Sequence, residues 1–68
     1  DAIKKLPDKY RAAIVLRDIW GNSYYEISKI LNCSVGTVKS RISRGRLRLK
    51  ELLSDYMEQS SAGIRQNN

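Results

Sequence analysis

Two signals for the start of a helix lie close together in this chain, at Ser23 and at Ser34. Ser23 is followed three residues later by Glu26, the pattern of a capping box, in which each side chain satisfies a free backbone N–H of the other residue. The apolar residues between the two serines keep helical spacing, and Asn32 tolerates the left-handed conformation of a helix end. The pattern predicts a helix over residues 24–31, a tight turn, and a new helix after Ser34.

The helix after Ser34 is the longest that the sequence predicts, and we expect it to end near residue 56. Its apolar side chains recur every three or four residues, which gives one stripe that faces a core. The stripe contains Val38, Ile42, Gly45, Leu49, Leu52 and Tyr56. Before the capping box, the sequence predicts one helical turn within residues 1–6 and a helix from Pro7 to about residue 20.

These elements predict an all-α fold, which is either a small four-helix bundle or one short turn with three helices. A short helix, a tight turn and a second helix form a helix-turn-helix. The expected class is therefore the winged-helix-like DNA-binding class without a wing. We expect Cys33 to fill the turn as a small apolar plug, and Trp20 to pack in the core or against a partner.

The length of the chain allows one small domain. It has 68 residues, one cysteine and no histidine, so neither an internal disulfide nor a mixed Cys/His metal site supports the fold. We expect helix packing to stabilise a domain over residues 1–57, followed by a disordered tail over residues 58–68. Because the chain begins at Asp1 rather than methionine, we expect it to be a piece of a longer protein.

The charge of the chain is typical of a protein that binds nucleic acid. Thirteen Lys and Arg residues against seven Asp and Glu give a net charge of +6, and six cations with no acid lie between Lys39 and Lys50. At 100° per residue, the helix face opposite the apolar stripe carries Lys39, Ser40, Ser43 and Arg44. Such a helix fits the major groove, where Arg and Lys donate to guanine and serine donates or accepts. We predict that these four side chains contact bases.

Contacts with the DNA backbone are predicted at the start of the long helix. Its free N–H groups and the Thr37 hydroxyl suit a phosphate, and Gly36 leaves no side chain to obstruct the approach. Arg17 and Tyr24 lie near the helix-turn-helix. For each of them a phosphate contact and an ordinary structural or solvent-exposed position remain equally open.

The run VGTVKSRISRGR at residues 35–46, with Leu6-Pro7 and the capping segment at residues 23–27, resembles region 4 of bacterial sigma factors of the extracytoplasmic-function (ECF) group. The resemblance covers about residues 3–53. It implies recognition of the −35 promoter element by a sigma factor bound to core RNA polymerase. It assigns base contacts to the four residues above. With the helix N-terminus included, the expected phosphate contacts are Arg17, Tyr24, Gly36, Thr37, Arg41 and Arg46.

The resemblance also implies partners beyond double-stranded DNA. The domain is expected to dock on the flap of the polymerase β subunit and to be sequestered by an anti-sigma factor, with a larger region 2 domain upstream. We expect a cytoplasmic protein with no catalytic residue, no metal ion, no cofactor and no membrane partner.

Other classes fit the sequence less well. A response-regulator output domain typically carries a His after its TVK segment and a Lys-Leu-Gly ending, whereas this chain has Arg41 and, at residues 46–48, Arg-Leu-Arg. An enzyme is disfavoured because there is no histidine and the acids form no recognisable pair. A membrane-surface helix is disfavoured because the apolar stripe is needed for the core. A module whose basic helix binds an acidic protein remains an alternative.

Overall fold

The computed structural model describes residues 2–64, with the side chains of residues 2–58. A single 3-10 turn at Ile3–Lys5 opens the chain. Helix α1 spans Asp8–Ile14 and continues without a break as a wider π-helical segment, Val15–Ile19. Helix α2 spans Tyr24–Leu31, and helix α3 spans Val35–Ile64.

The all-helical class is confirmed, since the described residues form three α-helices and no strand. The count of four helices is not confirmed, because the first predicted helix is only a 3-10 turn. Its end has a local cause: Leu6 precedes Pro7 and takes an extended conformation, with ψ at 145°. The alternative of one short turn with three helices describes the fold.

Hydrogen bonds at the helix ends confirm the sequence prediction for the helix-turn-helix. The N–H of Ser23 donates to Glu26 Oε1 at 2.7 Å, and the N–H of Glu26 donates to Ser23 Oγ at 3.1 Å. Asn32 has a φ of 54° and ends α2 in the left-handed conformation. The N–H of Thr37 donates to Ser34 Oγ at 3.0 Å, which starts α3. Local side chains therefore set the length of α2 and its turn.

The π-helical segment at Val15–Ile19 is a feature that the sequence did not predict. It widens the last turns of the first helix, and the N–H of Trp20 donates to the carbonyl of Val15 at 3.0 Å. The helix then ends at Gly21, whose φ of 74° suits a residue without a side chain. The spacing of apolar residues does not separate a π-turn from an α-turn over so few residues. The segment carries Arg17 and Asp18, which both belong to the site described below.

The core lies where α1 and α2 pack against the first half of α3. Its buried apolar residues are Leu6, Ala13, Ile14, Ile27, Val38 and Ile42. At Gly45, α3 approaches α1 so closely that a Cβ atom would lie 2.9 Å from Ile14 Cγ1 and 3.4 Å from Tyr10 Cβ. Gly45 therefore lets the two helices come together beside the predicted DNA-binding face.

The end predicted for the last helix is wrong, because α3 continues to Ile64 rather than ending near residue 56. Residues 57–62 contain neither proline nor glycine, so no local signal stops the helix there. The apolar stripe is buried only in the first half of α3, and Tyr56 is 64% exposed. The division into a domain at residues 1–57 and a tail at residues 58–68 stays a prediction, and residues 65–68 lie outside the described part.

Two further side chains complete the comparison with the sequence. Cys33 is half-buried and packs against the core, as expected for a turn residue that fills space. Trp20 is 72% exposed, so it does not pack in the core of this chain, and the expectation of a partner stays open. Within residues 2–64, no helix combines the length and apolar character that a membrane crossing requires.

Candidate nucleic-acid interface

The face of α3 that was predicted to contact bases is open to solvent. Val38 and Ile42 are buried, with exposed fractions of 0% and 2%. The helix therefore has one fixed orientation. The side chains on its opposite face, all of them exposed, are Lys39, Ser40, Ser43 and Arg44. The orientation that groove binding requires is thus present, while the base contacts themselves stay a prediction.

The N-terminus of α3 has fewer free backbone donors than the sequence suggested. The N–H of Thr37 already donates to Ser34 Oγ, and the Ser34 hydroxyl in turn donates to Thr37 Oγ1 at 2.9 Å. The first turn of a helix leaves its amides without partners inside the helix, which here concerns Val35 and Gly36. A phosphate would meet these two amides and the Thr37 hydroxyl, but not the Thr37 N–H.

On one flank of α3, two cations lie close to the ring of Tyr24. The guanidinium carbon of Arg17 is 4.7 Å from the ring centroid, and Lys39 Nζ is 5.9 Å from it. Arg17 is held in place by a hydrogen bond that its Nη1 donates to the carbonyl of Asn22 at 3.0 Å. Tyr24 itself is half-buried against the core. Two predicted phosphate contacts and one predicted base contact therefore form one cluster.

Arg46, another predicted phosphate contact, is paired with an acid from the π-helical segment. Its Nη2 donates to Asp18 Oδ1 at 2.5 Å and its Nε donates to Asp18 Oδ2 at 3.2 Å. The hydrogen bond from Arg46 has the largest effect on the pKa of Asp18 and holds it below its usual value. Partial burial acts in the opposite direction, and the charges of Arg46 and Arg17 lower the pKa further. A DNA phosphate would therefore have to compete with the Asp18 carboxylate for the Arg46 guanidinium.

On the other flank of α3, a cleft of about 600 Å³ separates it from the start of α1. From α1 the cleft is lined by Lys9 and Tyr10. The α3 side, together with its capping residue, contributes Ser34, Gly36, Thr37, Ser40, Arg41 and Arg44. The structure therefore brings four predicted DNA contacts that lie between residues 36 and 41, together with Arg44, into one basic cleft.

A comparison with known protein families identifies the family of the chain. The family model for "Sigma-70, region 4" matches residues 1–49, which include α1, α2 and the first half of α3. The chain belongs to the sigma-70 region 4 family. The family resemblance expected from residues 35–46 is thereby confirmed, and the family is one of transcription factors.

Three relatives of this region 4 chain are ECF sigma factors. It is 58% identical over 53 residues to the ECF RNA polymerase sigma factor SigW of Bacillus subtilis, covering 78% of this chain and 28% of that protein. It is 45% identical over 60 residues to SigE of Mycolicibacterium smegmatis, covering 88% and 23%. It is 42% identical over 57 residues to the sigma-E factor of Haemophilus influenzae, covering 84% and 30%. The chain therefore spans less than a third of the length of these relatives.

Sequence reasoning missed three residues of this candidate site. Lys9 and Tyr10 line the cleft, and Asp18 pairs with Arg46. The glycine in the apolar stripe was a usable signal, because it marks a close approach of another helix to α3. It does not identify which residue of α1 lies opposite. Asp18, the partner of Arg46, is placed by the π-helical segment, and no pattern in the sequence predicted that segment.

Proposed function

We propose that this chain binds the −35 element of bacterial promoters in double-stranded DNA, as region 4 of an ECF sigma factor that directs core RNA polymerase to its start sites. The observation that supports the proposal most directly is the orientation of α3. Its Val38–Ile42 side is buried while Lys39, Ser40, Ser43 and Arg44 are exposed on the other side. A helix presented in this way after a tight turn can enter the major groove with its first turns.

The roles of individual residues follow from their chemistry and position. Lys39 and Arg44 can donate to guanine O6 and N7, and the two serines are short enough to let the helix backbone approach the bases. Thr37 and Gly36, at the capped end of α3, would meet a phosphate, with Arg17, Tyr24 and Arg41 as further backbone contacts. Arg46 would become a backbone contact only where it is released from Asp18. None of these roles needs a cofactor, and the activity proposed is binding rather than catalysis.

Selection of duplexes from a random pool tests the proposal. The chain is expected to enrich one short motif and to bind it in preference to calf-thymus competitor DNA. The measurement is made at low salt, since phosphate contacts weaken by about 0.9 log units in binding constant per contact for each log unit of salt. If binding depends on salt but no motif is enriched, the proposed sequence recognition is wrong. That result would support the alternative of a module whose basic helix binds acidic partners.

Two protein partners are part of the proposal, the flap of the polymerase β subunit and an anti-sigma factor. Several large apolar side chains outside the predicted DNA contacts are exposed, which suits a protein interface. They include Ile19, Trp20, Tyr25, Ile30, Leu47 and Leu53. Since core RNA polymerase is the central partner, we place the protein in the cytoplasm.

The single tryptophan gives a direct test of a protein partner. Trp20 is 72% exposed, and the chain has no other tryptophan. A partner without tryptophan that covers this part of the surface should shift the emission to shorter wavelength on titration, because the indole leaves water. An isolated β flap that binds without any change in emission would place the docking surface elsewhere.

A further inference from the structure

The basic cleft between α1 and α3 lies on the opposite flank of α3 from Tyr24. At 100° per residue from Val38, Lys39 lies at about 100°, on the side of Tyr24, whereas Arg44 and Arg41 lie at about 240° and 300°. The cleft is lined by these two arginines and by Lys9 from α1. A helix in the major groove has phosphates of one DNA strand on each side, because the two strands form the two walls of the groove.

Among the described residues no acid lines the cleft, and the acid next to Lys9 in sequence is already paired. The carboxylate of Asp8, next to Lys9, accepts from Arg11 on the next turn of the helix. The ammonium of Lys9 lies over the ring of Tyr10, 5.3 Å from its centroid. A cation beside a ring remains free to attract an anion, since the ring brings no charge. Lys9 therefore adds its full charge to that of Arg41 and Arg44.

The position of Lys9 relative to α3 is fixed by the helix crossing. Tyr10 Cβ would lie 3.4 Å from a Cβ at Gly45, so the start of α1 is held against α3 by direct contact. Lys9 is the adjacent residue, exposed on the rim of the cleft. The cation is thus placed by the core rather than by a mobile loop.

We propose that this cleft is a second phosphate site, in which Lys9 contacts the DNA strand opposite to the one that Arg17 and Tyr24 contact. The inference rests on the proposed function and adds the first helix to the DNA interface. Lys9, on one wall of the groove, and the Arg17–Tyr24 cluster, on the other, then fix the depth and tilt of α3 between them. The site reads no sequence, because phosphates carry none.

Lys9→Ala tests the inference, with Lys5→Ala as the matched control. Lys5 is an exposed lysine whose neighbours include Leu52 and Tyr56, at the far end of α3 from the cleft. The slope of log binding constant against log salt is measured on the selected duplex and on a competitor duplex. Lys9→Ala should lower the slope by about 0.9 on both duplexes, and Lys5→Ala should leave it unchanged. Equal slopes for the two variants would overturn the inference.

Duplexes with single neutral methylphosphonates identify the strand. A methylphosphonate at one position should weaken binding of the unaltered chain but cause no further loss of affinity in Lys9→Ala. A methylphosphonate at a second position should weaken binding of the unaltered chain but cause no further loss in Arg17→Ala. The two sensitive phosphates should lie on opposite strands, and finding them on the same strand would overturn the inference. If the chain binds a preferred duplex but Lys9→Ala changes neither the affinity nor the salt slope, only the second phosphate site is refuted. A chain without any preferred duplex would refute the proposed function itself.

Discussion

Asp18 and Arg46 form a two-point ion pair across 28 residues of sequence, joining the π-helical segment to α3. Both side chains are partly open to solvent, with exposed fractions of 38% and 51%. A surface pair of this kind contributes about 0.2–1 kcal/mol to stability. The pair has a larger consequence for DNA binding. The Asp18 carboxylate accepts the hydrogen bonds of the Arg46 guanidinium, which was expected to donate to a phosphate.

Asp18→Asn should strengthen DNA binding, since it releases Arg46 from its competitor. We expect the affinity to rise severalfold and the salt slope to steepen by about 0.9, one additional phosphate contact. Adding Arg46→Ala to Asp18→Asn should abolish the gain, whereas Arg46→Ala alone should change binding little. Fluorescence anisotropy with a labelled duplex measures all four proteins of this double-mutant cycle.

Glu51→Gln is the matched control for the change in net charge. Glu51 lies 3.6 Å from Arg48 on α3, so the substitution also frees an arginine and removes one negative charge. It should leave the salt slope near that of the unaltered chain. An equal gain from both substitutions would mean that overall charge, and not Arg46, controls the affinity.

The same pair predicts how stability depends on pH. Because Arg46 donates hydrogen bonds to the carboxylate of Asp18, the folded-state pKa of Asp18 lies below that of the unfolded chain, which is about 3.9. A lowered carboxyl pKa stabilises the fold above the unfolded-state value, and this stabilisation is lost as the pH falls through the folded-state value. Urea unfolding should therefore show the unaltered chain more stable than Asp18→Asn by a constant amount above about pH 5. The difference should shrink below about pH 4, and a difference that grows there would contradict the assignment.

The roles of the ring and the hydroxyl of Tyr24 can be separated by two substitutions. The sequence predicts a phosphate contact by the hydroxyl, while the structure adds a ring that holds Arg17 and Lys39. Tyr24→Phe should weaken binding by about 1.5–3 kcal/mol and leave the salt slope unchanged if the hydroxyl donates to a phosphate, because the hydroxyl carries no charge. Tyr24→Leu should lose about 1 kcal/mol of binding more than Tyr24→Phe, because each cation–π contact contributes about 0.5–1 kcal/mol at an exposed site. Equal affinities of the two variants, compared where both are folded, would remove the positioning role of the ring.

Gly45→Ala should destabilise the domain although alanine favours helix. The new Cβ would lie 2.9 Å from Cγ1 of the buried Ile14, which cannot move without disturbing the core. Overpacking costs about 1–3 kcal/mol, against a gain of about 1 kcal/mol in helix propensity. We expect a net loss of about 1 kcal/mol in the free energy of unfolding by urea.

Gly36→Ala is the control for Gly45→Ala. Its Cβ would have only Ser34 Oγ nearby, at 3.8 Å, so the stability should stay within about 0.5 kcal/mol of the unaltered chain. DNA binding should nevertheless weaken if a phosphate approaches the amide of Gly36. A Gly45→Ala chain as stable as the unaltered one would show that α1 can shift away from α3 at little cost.

Much of the helix-turn-helix could be predicted from the sequence because its determinants are local. Ser23 with Glu26, Asn32 and Ser34 each act on backbone groups within a few residues, so a pattern is enough to find them. The exposed face of α3 follows from the same kind of argument, since burial of Val38 and Ile42 fixes the opposite side.

The remaining features depend on contacts between distant segments. Pairing of Asp18 with Arg46 requires the π-helical segment, and the place of Lys9 beside α3 requires the crossing of α1 at Gly45. Helical periodicity gives the face of each helix but not its crossing point on another helix. The late end of α3 was missed for a different reason, because residues 57–62 lack both an apolar pattern and a stop signal.

Arg44 and Arg41 lie one turn apart on α3 and should affect DNA recognition in different ways. Arg44 is exposed at about 240° from Val38, toward the predicted groove, whereas Arg41 is half-buried at about 300°, nearer the core. Arg44→Ala should cost about 1–3 kcal/mol on the selected duplex and relax the preference at one base pair. Arg41→Ala should weaken the selected and single-base-variant duplexes alike and lower the salt slope by about 0.9. Both substitutions leave the same net charge, so a difference in specificity reflects position alone. A uniform loss from Arg44→Ala across all duplexes would assign Arg44 to the phosphates of the cleft, and direct base readout would then depend on Lys39 and the two serines.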